Sequence, residues 1–243
     1  AERPDVVLSH YNALLLNTAA YAQADIKPIK KMNITLGARY DHMQFSYTNF
    51  ADVSKGTKTY QQLSPKIGIS YQLKRKSGIY ANFSRGFSPP SLTTVFSRKP
   101  GTNEFYYDLE PATFNSYEAG TWTNLLKNKM QFNLTVYQMH GRNELLNVRQ
   151  PDNSSQYQSA GKTLHRGIEY SVNYTPVNSL AIRLGGSNAL HRYEEFVLSE
   201  RSTDAIRNVN GKTMPSAPSW ITNAEITWKP VFVRGLRFSM EWQ

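Results

Sequence analysis

The chain alternates apolar and polar residues one by one over ten separate segments. In one segment, Ile168, Tyr170 and Val172 alternate with Glu169 and Ser171. Successive side chains of a β-strand point to opposite faces, so this period predicts strands with one apolar face and one polar face. The ten predicted strands lie at 18–27, 32–45, 66–72, 79–84, 113–123, 131–136, 167–174, 180–185, 222–228 and 236–242.

The connections between these segments alternate in length. Short turns are predicted at 28–31, 74–77, 125–129, 176–179 and 229–235, and long loops at 46–62, 88–112, 141–157 and 191–217. Tight turns on one side and long loops on the other are typical of an antiparallel transmembrane β-barrel. The fold class predicted is therefore all-β, as a segment of such a barrel.

A soluble antiparallel sheet has the same period of two, so alternation alone does not exclude it. Segment length favours the membrane, because a tilted membrane strand needs about 9–11 residues. Aromatic side chains such as Tyr174 and Trp228 stand near the ends of the apolar stretches, as is typical of a membrane interface.

Charged side chains are confined to the polar faces in the middle of the predicted strands. An Arg or Lys that faces lipid at mid-depth costs about 2–4 kcal/mol, so this partition predicts an aqueous lumen on the polar side. These side chains form either ion pairs and contacts within the lumen or a path for a ligand. The predicted lumen-facing residues are Arg39, Asp41, Glu118, Glu169, Arg183, Glu225 and Arg237.

The formal net charge of +10 raises the question of nucleic-acid binding. The excess is scattered over four of the five short turns, whereas the long loops are nearly neutral. Basic residues beside anionic lipid headgroups account for this distribution, and no nucleic-acid partner is predicted. The chain has no cysteine. The bases of the turns are Lys27, Lys30, Lys31, Lys74, Arg75, Lys76, Lys127, Lys129, Lys229 and Arg234.

A series of short motifs occurs in a fixed order along the chain. Segment 80–90 ends in Arg85-Gly86-Phe87-Ser88-Pro89-Pro90, and it is followed by Leu109-Glu110-Pro111, Asn115–Gly120, Arg166–Tyr170 and Pro215–Pro218. Segments 21–23 and 37–41 precede them. In this order the chain resembles the C-terminal part of the barrel of TonB-dependent outer-membrane receptors, over nearly its whole length.

The resemblance implies a 22-stranded barrel with an N-terminal plug, in the outer membrane of a Gram-negative bacterium. Residues 1–243 are then expected to be a partial barrel of about ten strands, without the plug, the TonB box or the closing strands. The implied function is TonB-dependent uptake of a ferric siderophore, with haem or a cobalamin-like nutrient as alternatives. The implied partners are TonB, outer-membrane lipid and a small-molecule iron chelate, which is transported as a ligand, and no bound cofactor is expected.

Two functions of another class remain open on the residues alone. They are a passive porin or structural barrel, and a soluble β-domain that binds a partner through its sheet edge. An enzyme is not predicted, because the chain has no Gly-x-Ser-x-Gly elbow.

Basic and aromatic side chains in the outer loops suit an anionic iron chelate, through charge and stacking. An ordinary outer loop is the alternative explanation. The five histidines show no metal-ligand spacing, so no metal site is predicted. The predicted ligand-binding residues are Arg98, Lys99, Phe105, Tyr106, Tyr107, Arg142 and Arg149.

Overall fold

The computed structural model describes residues 10–243 as one sheet of ten antiparallel strands. Each strand pairs with its neighbours in the chain, so β1 and β10 form the two edges of the described sheet. The strands are β1 (Tyr11–Ile29), β2 (Met32–Asn49), β3 (Lys55–Lys74), β4 (Ser77–Ser88), β5 (Ala112–Leu125), β6 (Met130–Arg149), β7 (Ser155–Val177), β8 (Leu180–Glu195), β9 (Trp220–Trp228) and β10 (Phe238–Trp242). A one-turn helix, α1 (Leu92–Val95), and a 3-10 turn (Leu126–Asn128) complete the described elements.

The pairing register confirms the predicted faces. Val172 lies opposite Phe132 on one side and Leu184 on the other, and Leu184 lies opposite Ala224. Directly opposed residues of an antiparallel pair share a face. The apolar positions of β2 to β10 follow the same rule, so the sheet has one continuous apolar face across the predicted membrane band.

The strands extend well beyond the predicted segments, and two predicted loops are wrong. Segments 46–62 and 141–157 are mostly strand, and only the tips at 50–54 and 150–154 connect β2 to β3 and β6 to β7. The reason is a change of phase: on β2 the apolar residues lie on one face up to Tyr40, and on the other from Met43 to Tyr47. A strand predicted from one continuous apolar face therefore ends at the residue where the apolar side chains change face.

The other connections agree with the sequence. Tight turns join the strands at 30–31, 75–76 and 178–179, and long connections remain at 89–111 and 196–219. Strand β10 begins at Phe238, two residues later than predicted, and β1 begins earlier than predicted, at Tyr11. Within residues 10–243, no helix is long and apolar enough to cross a membrane.

Adjacent positions on β7 test which face meets lipid. Val172→Arg in the full-length protein is expected to destabilise the protein folded in lipid by about 2–4 kcal/mol, because it places a charge on the apolar face at mid-depth. Ser171→Arg is the matched control, since Ser171 lies on the polar face opposite Asn133 and Gly185. Urea titration of folding into vesicles measures both, and an equal cost for the two variants would contradict the assignment of faces.

The two unpaired sheet edges determine how residues 1–243 are expected to behave without the rest of the protein. Unpaired strand edges are not tolerated in hydrocarbon, because each unsatisfied backbone group costs several kcal/mol. Residues 1–243 refolded in detergent are therefore expected to aggregate or to pair edge to edge between chains. Light scattering during size exclusion measures this outcome, and a monomeric, heat-resistant pore would contradict it.

Candidate functional site

The connection between β4 and β5, residues 89–111, is here called the strap. Strand β4 ends at Ser88 and strand β5 begins at Ala112, so this pair of strands is shorter than the hairpins β2–β3 and β6–β7 on either side. The strap lies between these two tall hairpins and contacts both. Helix α1 opens it, with the Ser91 hydroxyl accepting a 3.0 Å hydrogen bond from the backbone N–H of Thr94.

Aromatic packing holds the strap against the polar-side face of β2 and β3. The ring of Phe96 stacks on Tyr47 with centroids 5.1 Å apart and planes only 7° from parallel. Phe105 meets both rings edge to face. Stacked and edge-to-face pairs each add about 0.5–1.5 kcal/mol beyond burial, so the packing contributes to fixing the strap. With Phe45, Met43, Tyr60 and Val95, these residues form the main buried cluster of the described chain.

Polar contacts reinforce the same side. The Tyr60 hydroxyl donates a 3.0 Å hydrogen bond to the Leu109 carbonyl, and Arg98 forms a 3.0 Å ion pair with Asp52 in the β2–β3 tip. Hydrogen bonds from the Ser54 hydroxyl and backbone N–H, and then the Arg98 guanidinium, lower the pKa of Asp52 to about 2. Asp52 is therefore ionised at neutral pH and accepts from Arg98.

The β6–β7 hairpin holds the other side of the strap. Tyr106 is 2% exposed and meets Tyr157 edge to face, with centroids 5.4 Å apart. Glu110 exchanges two backbone hydrogen bonds with the Ser159 hydroxyl, at 2.9 and 3.0 Å. The strap is thus fixed to both hairpins across the width of β4 and β5.

The predicted ligand-binding residues fall into three places. Five lie on the strap, where Arg98 stacks on Phe105 and Lys99 pairs with Asp108 at 2.9 Å. Arg142 lies on the opposite face of the sheet, beside Thr113. Arg149 lies at the end of β6, where its backbone bonds the 196–219 connection. The seven residues therefore do not converge, and their contact with a ligand stays a prediction.

The register places six of the seven predicted lumen-facing residues on one face, opposite the apolar face, and Arg237, just before β10, reaches the same face through its ion pair with Glu225. Arg39 pairs with Asp41 at 2.7 Å, and Glu225 accepts from Arg183 at 3.0 Å and from Arg237 at 3.3 Å. Glu118 and Glu169, by contrast, take part in no ion pair within residues 10–243. That this face lines an aqueous lumen stays a prediction.

A hollow of about 400 Å³ lies on this face, between β4 and β8, and Glu118 and Glu169 line it. Its volume falls within the range of small-ligand sites. His165 and His191 line the same hollow, with their Nδ1 atoms 2.7 Å apart. Carboxylate and imidazole groups thus face one space.

A short series of hydrogen bonds holds His165 at its Nε2 atom. The Nε2 atom of His165 lies 3.2 Å from the hydroxyl oxygen of Thr163, which is fully buried, and that hydroxyl bonds the Glu144 carboxylate. Glu144 reaches this position because the β6–β7 register shifts between Gly141 and Glu144. The carboxylate then lies over Gly141, where any side chain would collide with it.

Sequence spacing does not reveal this cluster. His165 and His191 are far apart in the sequence and meet only because β7 pairs with β8. The tight turn at 178–179 taken alone would place His165 opposite Arg192, and only a register shift between Tyr174 and Val177 brings His191 opposite it. The bulge that brings in Glu144 has no local signal either.

Comparison with known proteins settles the family. A family model described as "TonB dependent receptor-like, beta-barrel" matches residues 9–242. The chain belongs to the TonB-dependent receptor family. Members of this family are receptors and transporters of the Gram-negative outer membrane, so the chain is not an enzyme.

Individual relatives are distant and much longer. The metal-pseudopaline receptor CntO of Pseudomonas aeruginosa (strain UCBPP-PA14) is 26% identical over 154 residues, which cover 60% of this chain and 20% of that receptor. The siderophore receptor PiuA of Acinetobacter baumannii superposes with a TM-score of 0.72 and 18% identity, over 90% of this chain and 32% of that one. The copper transporter OprC gives a TM-score of 0.69 and 13% identity, over 90% and 33%. The chain thus spans about a third or less of each of these proteins.

Protonation of Asp52 removes the charge that Arg98 pairs with, so the strap is expected to loosen in acid. The pKa of Asp52 is about 2 in the folded protein against an ordinary value of 3.8. A carboxyl group whose pKa is lowered by folding stabilises the folded protein at pH values above its ordinary pKa. This stabilisation is lost as the pH falls from about 4 to about 2. A spin label at Asn103→Cys, in a chain without other cysteines, is expected to gain mobility in that window.

Asp52→Asn is the reference variant for this titration. The label is expected to be mobile at every pH in Asp52→Asn, because the amide carries no charge for Arg98. An equally immobile label at pH 7 and at pH 2 in the unsubstituted receptor would show that the aromatic packing alone fixes the strap.

Proposed function

We propose that the chain forms part of the barrel wall of a receptor that imports metal chelates with energy supplied through TonB. The observation that carries the proposal is the family match over residues 9–242. The substrate class proposed is a ferric siderophore. The partners proposed are TonB, outer-membrane lipid and the chelate itself, and no resident cofactor is required.

The extent of the chain is part of the proposal. Ten strands with two free edges, and relatives several times longer, support a partial barrel whose plug, TonB box and closing strands lie elsewhere in the protein. TonB would act through the part outside these residues, since the family couples to TonB through its N-terminal region.

The mechanism proposed begins at the strap. A chelate is captured among the outer connections and then passes along the polar face once the plug rearranges. The strap supports this role because it leans over the polar face and is fixed at both sides, by Tyr60 and Ser159. A rigid edge of this kind positions a ligand at a small entropic cost.

The polar face supports passage of a solute. Its arginines are largely paired with carboxylates, as in Arg39–Asp41 and Arg183–Glu225, so the wall does not present a strong field of one sign. Glu118 and Glu169 are the exceptions and add negative charge in the hollow below the strap. Such a wall favours weak, successive contacts with a metal-bearing solute over tight binding at one point.

A second substrate class has specific support. The curated relative with 26% identity is a receptor for metal–pseudopaline, which makes a chelate of this kind the alternative to a ferric siderophore. The relative aligns with only 60% of this chain, so a chelate panel has to include both classes.

Growth under metal limitation tests the proposal. A receptor-deficient strain that expresses the full-length protein is expected to regain growth on at least one chelate of the panel, and to lose it when TonB is deleted. Uptake of the radiolabelled metal in the same strains measures transport directly. Uptake that persists without TonB would indicate a passive pore.

Removing the strap contacts provides the matched comparison. Tyr106→Ala is expected to lower uptake at limiting chelate, because it removes the buried contact with Tyr157. Tyr117→Ala, on the apolar face opposite Phe83, serves as the control for loss of an aromatic ring. Equal uptake in both variants would remove the strap from the mechanism.

A further inference from the structure

Met139, His165 and His191 form a row across three neighbouring strands. His165 lies directly opposite Met139 of β6 and directly opposite His191 of β8. Opposed residues of an antiparallel pair are about 4.5–5.5 Å apart, close enough for their side chains to share a ligand. All three line the hollow of about 400 Å³.

The hydrogen bonds of Thr163 fix the tautomer of His165. The Thr163 hydroxyl donates its proton to the Glu144 carboxylate, which only accepts. Its oxygen, 3.2 Å from Nε2 of His165, can then only accept from that atom. Nε2 therefore carries the proton, and the lone pair of the neutral ring is on Nδ1, pointed toward His191.

This arrangement has the form of a metal site with its outer contacts in place. A metal-binding histidine usually donates its second ring N–H to a carboxylate, a carbonyl or a water, which orients the ring and raises its basicity. Here the Thr163 hydroxyl takes that role, and Glu144 supports it from behind. The two Nδ1 atoms are 2.7 Å apart, close to the separation of about 2.8–3.0 Å between ligands at right angles in a square-planar or tetragonal site with bonds of about 2.0–2.1 Å.

We propose that His165 and His191 bind a divalent late first-row metal ion through their Nδ1 atoms. Imidazole nitrogen suits copper, nickel and zinc, and Cu²⁺ binds most tightly in this series. Carboxylates of Glu118 and Glu169 line the same space and attract a cation. The Met139 sulfur adds a soft ligand to one side of the pair.

The described part of the chain supplies too few ligands to close such a site. Residues 10–243 contain no group of three or more His, Cys, Asp or Glu residues able to hold a metal. The remaining positions are therefore filled by water or, given the proposed function, by the imported chelate.

Copper binding to the full-length receptor tests the site without any chelate. The purified receptor in detergent, titrated with Cu²⁺, is expected to show a bound ion whose electron paramagnetic resonance spectrum reports coupling to two nitrogens. His165→Ala and His191→Ala are each expected to weaken this binding at least tenfold and to leave coupling to a single nitrogen. Thr163→Val is expected to weaken it about 10- to 100-fold with both nitrogens retained.

His140→Ala is the matched control. His140 lies on the opposite face, paired across β6–β7 with Leu164 and near Glu194, so its loss is expected to leave affinity and spectrum unchanged. Unchanged affinity and spectrum in His165→Ala and His191→Ala would overturn the proposal, as would the absence of a two-nitrogen site in the unsubstituted receptor.

The test separates this site from the proposed function. A two-nitrogen Cu²⁺ site lost in His165→Ala supports the site even where the receptor transports no chelate of the panel. TonB-dependent chelate uptake without such a site leaves the proposed function standing and removes the histidine pair.

Discussion

Backbone hydrogen bonding is the constraint on which this structure depends. In hydrocarbon no water is present to satisfy a free N–H or C=O group, so each strand must be paired along its whole membrane-spanning length. The inner strands β2 to β9 meet this requirement through one unbroken series of antiparallel pairs, whereas β1 and β10 each pair on one side only in the described sheet. The ladder between β3 and β4 ends at Lys66 and Ser84, one residue before Pro65, which has no N–H to contribute. Beyond that level β4 pairs only with β5, as far as Ser88, and the strap packs against β2 and β3 instead.

This change of level explains why part of the fold could be predicted and part could not. Below it, lipid on one side and a polar face on the other impose a single alternation, so the membrane strands and tight turns follow from the sequence. Above it, Phe45 and Tyr47 turn toward the strap, and the apolar face changes sides. The pattern of 46–62 therefore resembles a loop, although tertiary contacts make it a strand.

The candidate site shows the same division. Composition drew attention to the strap, where Arg98 and Tyr106 are held by Asp52 and Tyr157. These contacts join distant segments and have no local signal. Strand register carries more information than spacing does. The tight turn at 178–179 brings β8 back beside β7, but a register shift between Tyr174 and Val177 decides that His191, and not Arg192, lies opposite His165. The bulge that turns Glu144 toward Thr163 likewise depends on the packing of two particular strands.

Strand β7 connects the strap to the histidine pair. Ser159 holds Glu110 of the strap, Thr163 follows four residues later, and His165 lies just below. At about 3.3 Å of rise per residue, some 20 Å of one strand carries both features. A solute that passed the strap would meet the imidazoles of His165 and His191 next, because the strap contact and the imidazoles lie on, or beside, the same face of β7. The order of the features along one rigid element thus corresponds to the order in which a cargo would encounter them.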